Sequence, residues 1–341
     1  MPDSTDQAMI CLRATTKRWL LTGVAGFIGS HLLEKLLKLH QEVVGIDNFS
    51  TGRRRNLIEV RAIVGREAWS RFRLIEGDVT EFGTCREALK GVDYVIHHAG
   101  QRSKAETGSL SASIEPLSLH LASVATIMTA AKLEAVERVV LAASSPHRGC
   151  SATGNQTLGE RITEQYVATV AGMNELVCIL LRYSEVFGSR QDTASADACI
   201  VTWWLECMLH ESPCIVYGSP QRSRDLCHVD DIVKANLLAA TATNVSSFQA
   251  YDIGSGHGTT QIELFTMLEH EILRRFPSLT IRAPISAPNR LWEPNYTEFD
   301  IGKSFAVLGY LPEVSLEQGI VKELDWYQQF MPKRETERHT H

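Results

Sequence analysis

The chain reads as an α/β protein: a Rossmann-like, doubly wound parallel sheet with a smaller C-terminal substrate lobe. Three observations predict this. Apolar runs of strand character alternate with segments of helical spacing through the first half of the chain. A glycine-rich turn joins the first such run directly to the first helix. Beyond residue 190 the alternation loosens into short strands, short helices and prolines at 213, 220, 277, 284, 288 and 294. Strand–helix alternation of this kind implies parallel strands, with ligands at their carboxyl ends.

The turn organises the rest. Residues 19–30 read Trp-Leu-Leu-Thr-Gly-Val-Ala-Gly-Phe-Ile-Gly-Ser, with glycines at 23, 26 and 29, and helical spacing continues through Ile28, Leu32, Leu33, Leu36 and Leu37. A strand that turns on glycine into a helix N-terminus suits a phosphate, because backbone can approach it and free N–H groups face it. Glycine clusters also make ordinary tight turns, so context decides. That context is Asp47, after a second strand at 42–46, near the spacing at which a carboxylate meets the adenosine ribose of a dinucleotide. A carboxylate there would repel a 2′-phosphate, which favours NAD over NADP; the run Arg53-Arg54-Arg55 is the counter-observation.

The next elements follow in order. A helix is expected before residue 70 from Leu57, Val60 and Ile63, then a strand at 72–76 and a helix at 84–89. A strand at 94–97, a long helix at 117–134, a strand at 138–144, a helix near 158–173 and a strand at 178–182 complete the alternation. Asp47, Asp78, Ala99 and Ser144 fall at strand ends. The expected division is a flexible N-terminal arm at 1–16, a dinucleotide-binding lobe at 17–190 with returns near 228–260, a substrate lobe mainly at 191–332, and a tail at 333–341.

A chain of 341 residues can bury a large core. A net charge of −6 argues against nucleic-acid binding by bulk electrostatics. No apolar run reaches the roughly 18 residues of a membrane span, and no signal-peptide pattern opens the chain. The eight cysteines show no Cys-x-x-Cys pair and no zinc spacing, and several lie in apolar stretches. The expectation is a cytoplasmic protein with reduced thiols and no metal.

The residues resemble the extended short-chain dehydrogenase/reductase superfamily, and more narrowly the UDP-N-acetylglucosamine 4-epimerases of O-antigen and capsule biosynthesis. The resemblance runs from about Lys17 to Tyr327. It is carried by residues 17–30, by Gly45-Ile-Asp-Asn-Phe-Ser-Thr-Gly52, by Gly91-Val-Asp-Tyr-Val-Ile-His97 and by Ala142-Ala-Ser-Ser145. Further matches are Leu181-Arg-Tyr183, Val186-Phe-Gly188, Arg190-Gln-Asp192 and Ser223-Arg-Asp-Leu-Cys227. It implies NAD as cofactor. Gly23, Gly26, Phe27, Ile28 and Gly29 would hold the pyrophosphate, and Asp47 and Asn48 the adenosine ribose. Ser50, Thr51 and Gly52 would line that end, Asp78 and Val79 the adenine, and Ala99 the nicotinamide-side phosphate. A homodimer through the two long helices is implied as well.

The reaction centre departs from the family. Family members abstract a proton with a tyrosinate whose pKa is lowered by a lysine four residues on, with a serine or threonine sharing the network. No Tyr-x-x-x-Lys occurs anywhere in this sequence. Counted back without gaps from Arg182-Tyr183, the tyrosine position falls on Gln156 and the lysine position on Glu160, and Ser145 is the remnant. An amide is no general base, and a carboxylate at 160 would raise the pKa of a neighbouring acid. The family's helix asparagine aligns with His120, its substrate-side asparagine with Glu185, and its loop near the sugar retains only Ser103. Arg224 and Arg290 stand where the resemblance places diphosphate-binding arginines, and Trp203 where a tryptophan precedes the cap.

Other candidates have plainer readings. His97 and His98, as strand neighbours, point to opposite faces and make a poor metal pair. His147 with Glu185 is an alternative acid–base pair. Asp230-Asp231 reads as a helix N-terminal cap. Three functions follow. The preferred one is an NAD-binding pseudoenzyme, catalytically impaired or repurposed, that binds a UDP-sugar or another small molecule. The second is an enzyme of altered chemistry using Ser145, His147 or Glu185. The third is a residual 4-epimerase, ranked last because loss of general-base catalysis costs on the order of 10²–10⁴ in rate.

Overall fold

The computed structural model describes residues 10, 12–100, 110–144, 155–193, 198–243, 245, 247–288 and 299–330. Ser103, Ser145, His147 and Arg290 lie outside these residues, and Gln156 and Glu160 are placed by the backbone of their helix alone.

Seven parallel strands form the central sheet. They are β1 (Arg18–Thr22), β2 (Glu42–Asp47), β3 (Phe72–Glu76), β4 (Tyr94–His97), β5 (Arg138–Ser144), β6 (Cys178–Tyr183) and, after a long excursion, β10 (Phe248–Ile253). Their spatial order is β10-β6-β5-β4-β1-β2-β3. The order reverses between β1 and β4, which opens a crevice at their carboxyl ends. Side-chain alternation divides the core in two. Leu20, Val95, Val139, Leu141, Cys178 and Leu180 pack on one face under α3 (Phe82–Ala88), α4 (Leu110–Leu133) and α5 (Asn155–Asn174). Trp19, Leu21, Ile96, Val140, Ile179 and Leu181 pack on the other. That second face lies under α1 (Phe27–Lys38), α2 (Arg54–Trp69) and α7 (Val229–Thr241). The leucine ladder of α1 supplies Leu32, Leu33, Leu36 and Leu37, all fully buried. Each such side chain stabilises the fold by roughly 1.5–3 kcal/mol.

The long helix expected at 117–134 begins earlier, at Leu110, so Pro116 lies inside it rather than marking its start. Leu12, assigned from sequence to the arm, is 3% exposed within the core.

A separate apolar cluster holds the cap elements together. It gathers Trp204, Leu205, Leu268, Ile272, Ile320 and Leu324, from α6 (Ile200–Leu209), α8 (Gln261–Arg275) and α10 (Leu316–Phe330). The cap also carries two small sheets. One orders β11 (Gly258–Thr260), β9 (Ser223–His228) and β7 (Glu185–Phe187), and the other pairs β12 (Ile285–Ala287) with β8 (Ile215–Tyr217). The helix α9 (Gly302–Leu308) packs back against β10. Asp225 stitches these pieces together: wholly buried, it accepts from the N–H groups of Ser255, Gly256 and Phe299.

The helix cap read onto Asp230-Asp231 is a correction. The N-cap of α7 is His228, whose side chain accepts from Asp230 N. Both aspartates sit one step inside, in the first turn. Asp231 accepts from Glu313 N and Val314 N, and Asp230 pairs with Lys322 at 2.6 Å. Their dipole placement is as expected; their carboxylates serve tertiary contacts instead. Among the described residues no helix is long and apolar enough to cross a membrane.

Candidate functional site

The turn between β1 and α1 has the geometry its glycines suggested. Gly23 takes a positive φ of 69°. A Cβ at Gly29 would lie 2.1 Å from the Gly23 carbonyl oxygen, so only glycine lets α1 start this close to the strand. Gly26 is the N-cap and brings no side chain to the first amides of the helix. The amides of Phe27, Ile28 and Gly29 therefore open the helix with donors that intrahelical bonding leaves over. This is a cradle for an anionic phosphate.

Asp47 closes β2 beside it. Its Oδ2 accepts from Ala25 N at 2.8 Å and its Oδ1 from Phe49 N at 2.8 Å. One carboxylate thus ties the phosphate turn to the loop after β2 and keeps lone pairs over for a diol. Burial pushes its pKa up while those two N–H groups oppose the rise. A Cβ at Gly52 would come within 2.7 Å of Asp47 Oδ1, so the glycine leaves that side open. Asn48 accepts from Ser50 N at 3.0 Å and donates to Asp78 at 3.0 Å. Asp78 is held ionised below the ordinary range by the Thr80 N–H and hydroxyl and by Asn48. Val79 packs against the core face that holds Cys85, and its carbonyl accepts from the Cys85 thiol. Gly23, Gly26, Phe27, Ile28, Gly29, Asp47, Asn48, Ser50, Thr51, Gly52, Asp78 and Val79 thus fall at or just past the carboxyl ends of β1, β2 and β3. The guanidiniums of Arg53 and Arg54 are paired with Asp192 and Glu76, and Arg54 also lies 4.1 Å from the Phe49 ring centre.

Across the crevice, Thr22 organises the exit of β4, a role that no sequence signal marked. Its Oγ1 accepts from Ala99 N at 3.0 Å and His98 N at 3.2 Å and lies 2.7 Å from His97 Nδ1. Ala99 N is therefore engaged within the chain. Strand alternation sends His97 and His98 to opposite faces, as expected. His97 meets Ser123 of α4, whereas His98 stacks on Tyr183 and approaches Asn236 of α7. Burial drives the pKa of His97 down to about 3, helped by His120 and His98, and that of His98 to about 4 against the Asn236 hydrogen bond. Both are neutral at physiological pH. His120, on α4, stands at the same strand end, with Nδ1 3.2 Å from the position of a Cβ on Gly100.

The predicted substrate residues come together differently. Glu185 and Arg224 form an ion pair at 2.8 Å, and Glu185 Oε1 also accepts from Ile200 N, the first amide of α6, at 3.0 Å. Burial would raise the carboxyl pKa, but Arg224, Ile200 N–H and the Cys199 thiol hold it below the ordinary range. Glu185 is thus paired with a cation, while His147, its alternative acid–base partner, lies outside the described residues. Trp203 stacks on Tyr217 with ring centres 6.4 Å apart. Gln156 and Glu160 fall on the first turns of α5, which begins at Asn155. The five buried cysteines at 85, 178, 199, 214 and 227 and the partly exposed Cys207 are free thiols.

The sequence profile of the NAD dependent epimerase/dehydratase family matches residues 19–254. A putative UDP-glucose 4-epimerase of Methanocaldococcus jannaschii is 27% identical over 326 residues, covering 90% of this chain and 97% of that protein. The UDP-glucose 4-epimerase of Mycolicibacterium smegmatis is 25% identical over 91% of this chain and 98% of its own length. Among solved structures, the Thermotoga maritima UDP-glucose 4-epimerase with UDP-glucose superposes with a TM-score of 0.79 at 25% identity. The match covers 92% of this chain and all of that one. The fold also matches, at a TM-score of 0.80 and 22% identity, a UDP-N-acetylglucosamine 4-epimerase from Methanobrevibacter ruminantium, over 93% of this chain and all of that one.

Proposed function

We propose, since the chain belongs to the NAD dependent epimerase/dehydratase family, that it is an NAD-binding, epimerase-like protein that has lost the family's usual catalytic tyrosine and lysine. It is a catalytically impaired or repurposed member of a nucleotide-sugar family. The supporting observation is a contrast between the two halves of the crevice. The glycine cradle and Asp47 fit a dinucleotide's pyrophosphate and ribose, because a Cβ would fill the cradle at Gly29 and Asp47 keeps acceptor capacity. At the reaction centre the sequence contains no Tyr-x-x-x-Lys, and the positions that would carry the pair hold Gln156 and Glu160.

In this reading Gly23, Gly26, Phe27, Ile28 and Gly29 hold the pyrophosphate. Asp47 and Asn48 hold the adenosine ribose, with Ser50, Thr51, Gly52, Asp78 and Val79 around the adenine end. Ala99 lies on the nicotinamide side. Asp47 and Asp78 disfavour a 2′-phosphate, and the nearby Arg53 and Arg54 already have acidic partners. Bound NAD supplies a hydride acceptor. In this reading the chain lacks the Tyr-x-x-x-Lys pair whose tuned phenol would take the hydroxyl proton as the hydride leaves. The buried neutral histidines at 97 and 98 are engaged with Thr22, Ser123, Tyr183 and Asn236 and do not replace it.

The same reading makes the protein cytoplasmic and a homodimer through α4 and α5. The free thiols support the first. The exposure of Leu133, Ile162 and Met173 on those two helices supports the second. Light scattering of the protein and of Met173→Glu tests the dimer.

Proton NMR of the purified protein with UDP-GlcNAc and NAD⁺ tests the function. An unchanged anomeric spectrum over a day, beside an active epimerase, is the expected result. UDP-GalNAc would refute the loss of catalysis, and another product would establish altered chemistry in the crevice.

A further inference from the structure

The amino ends of β1, β2 and β3 carry a charged cavity, at the opposite end of these strands from the crevice. Its volume is about 320 Å³, and it lies over Val43 and Val44 of β2. The sheet register assembles its walls. Arg18 begins β1 beside Glu42, which begins β2, and Arg73 of β3 is in register with Val44. Arg71 stands one step ahead of β3, while Glu87 and Lys90 come from the end of α3 and the residues just after it. Four cations thus line the cavity with two carboxylates, a local positive surplus in a chain whose net charge is −6.

These cations keep donors over. Arg18 Nε and Nη2 both donate to one oxygen, Glu42 Oε2, at 2.9 and 2.8 Å, which leaves Nη1. Arg71 Nη2 lies 2.9 Å from His40 Nδ1, with Glu67 only at 3.9 Å. Lys90 pairs with Glu87 and, with Arg73 farther off, holds that carboxyl below its ordinary range. Arg73 itself has no hydrogen-bond or ion-pair partner among the described residues. The Arg18–Glu42 and Lys90–Glu87 pairs are both exposed, and such pairs hold their partners weakly. An arriving oxyanion can therefore share these cations without breaking a buried network.

We propose that this cavity binds a small, free phosphate-bearing compound, with Arg73 and Arg18 as its main donors and Arg71 and Lys90 completing the positive wall. Guanidinium–phosphate hydrogen bonds are charge-assisted and bidentate, which suits a ligand held by arginines over little apolar surface. The volume is near the lower end for small-molecule sites and fits a diphosphate or sugar phosphate. The site is separate from the glycine cradle: β1 spans five residues, so at about 3.3 Å each the two lie roughly 15 Å apart. It does not depend on what the crevice binds.

The test is calorimetric titration of the full chain with inorganic pyrophosphate at low ionic strength, with and without saturating NAD. One saturable, submillimolar site that NAD leaves in place and added salt weakens is expected. Arg73→Ala is expected to lower the affinity about tenfold, the effect of losing a hydrogen bond to a charged group. Glu87→Gln, which frees Lys90 and removes a repelling charge, is expected to raise it. Arg61→Ala, at an exposed arginine of α2 outside the cavity, is expected to leave it unchanged. Thermal melting equal to wild type establishes that each variant is folded. Absence of saturable binding overturns the proposal, as does complete competition by NAD, or an equal loss in Arg61→Ala and Arg73→Ala. Sedimentation with phosphatidylcholine–phosphatidic acid vesicles separates a free compound from a lipid headgroup. No co-sedimentation is expected, and co-sedimentation that Arg73→Ala abolishes would overturn the assignment to a free compound.

Discussion

Replacing Glu323 with glutamine probes a carboxyl group that the cap buries deeply. Glu323 lies on α10 and is 1% exposed. Burial raises its pKa from the ordinary 4.5 to about 7, and the Thr202 hydroxyl of α6 only partly offsets that. Its charge is also felt by Cys199 and Tyr327, both of whose pKa values it raises. In the unfolded chain the group ionises near 4.5. Between that pH and about 7 the unfolded state has lost the proton that the folded state keeps, so stability falls as pH rises through this window. At full ionisation the gap between the two pKa values corresponds to about 3 kcal/mol. Glu323→Gln should match wild type near pH 4.5 and exceed it by about 2–3 kcal/mol at pH 8. Urea unfolding followed by tryptophan fluorescence at pH 5, 6, 7 and 8 measures this. The difference between the two proteins is the informative quantity, because the buried histidines act oppositely. Burial lowers His98 and His228 to about 4, so between there and 6.5 the unfolded state binds more protons and stability rises with pH. That slope is common to both proteins and cancels. A difference that is constant from pH 5 to pH 8, or that favours wild type at pH 8, would refute the reasoning.

Two further substitutions test the site and the joint behind it. Gly29→Ala places a methyl against the Gly23 carbonyl oxygen at 2.1 Å, and the turn must open. NAD affinity by intrinsic fluorescence quenching is expected to fall about tenfold or more, equivalent to at least ~1.4 kcal/mol of binding. Arg190 is 3% exposed and joins Glu34 of α1 to Glu59 of α2 from the loop after β7. Arg190→Ala removes the cation beside Glu59 and leaves Glu34 with Lys38 alone, and is expected to cost about 3 kcal/mol in chemical denaturation.

The central sheet, with the glycine turn and the strand-end aspartate at its edge, was legible because local sequence carries it. Strand-to-helix alternation, a glycine spacing and an aspartate at a strand end are patterns within a few dozen residues. The features that were not legible depend on pairing across the fold. Nothing near Glu185 in sequence marks Arg224 as its partner, since the register of β7 on β9 brings them together. Asp230-Asp231 reads as the cap of α7, yet the His228 imidazole holds that place ahead of them. Thr22 reads as one more residue of a buried strand until the chain returns at His98 and Ala99 to use its hydroxyl. The apolar period that marked a helix at 117–134 missed its first turns, which begin at Leu110.

Gln41 ties the segment ahead of β1 into the fold. Its side chain is wholly buried at the entrance to β2. Oε1 accepts from Lys17 N and Trp19 Nε1, while Nε2 donates to the carbonyls of Leu12 at 2.6 Å and Leu39 at 2.9 Å. One amide thus clasps the segment before β1 to the strand beside it. A polypeptide trimmed to begin at Lys17 would keep every strand of the sheet yet uncover the Leu12 socket. It would also strip two acceptors, the carbonyls of Leu12 and Thr15, from a group whose desolvation costs about 1–3 kcal/mol if unmet. The folded unit therefore extends at least six residues ahead of β1, held there by a side chain at the entrance to the second strand.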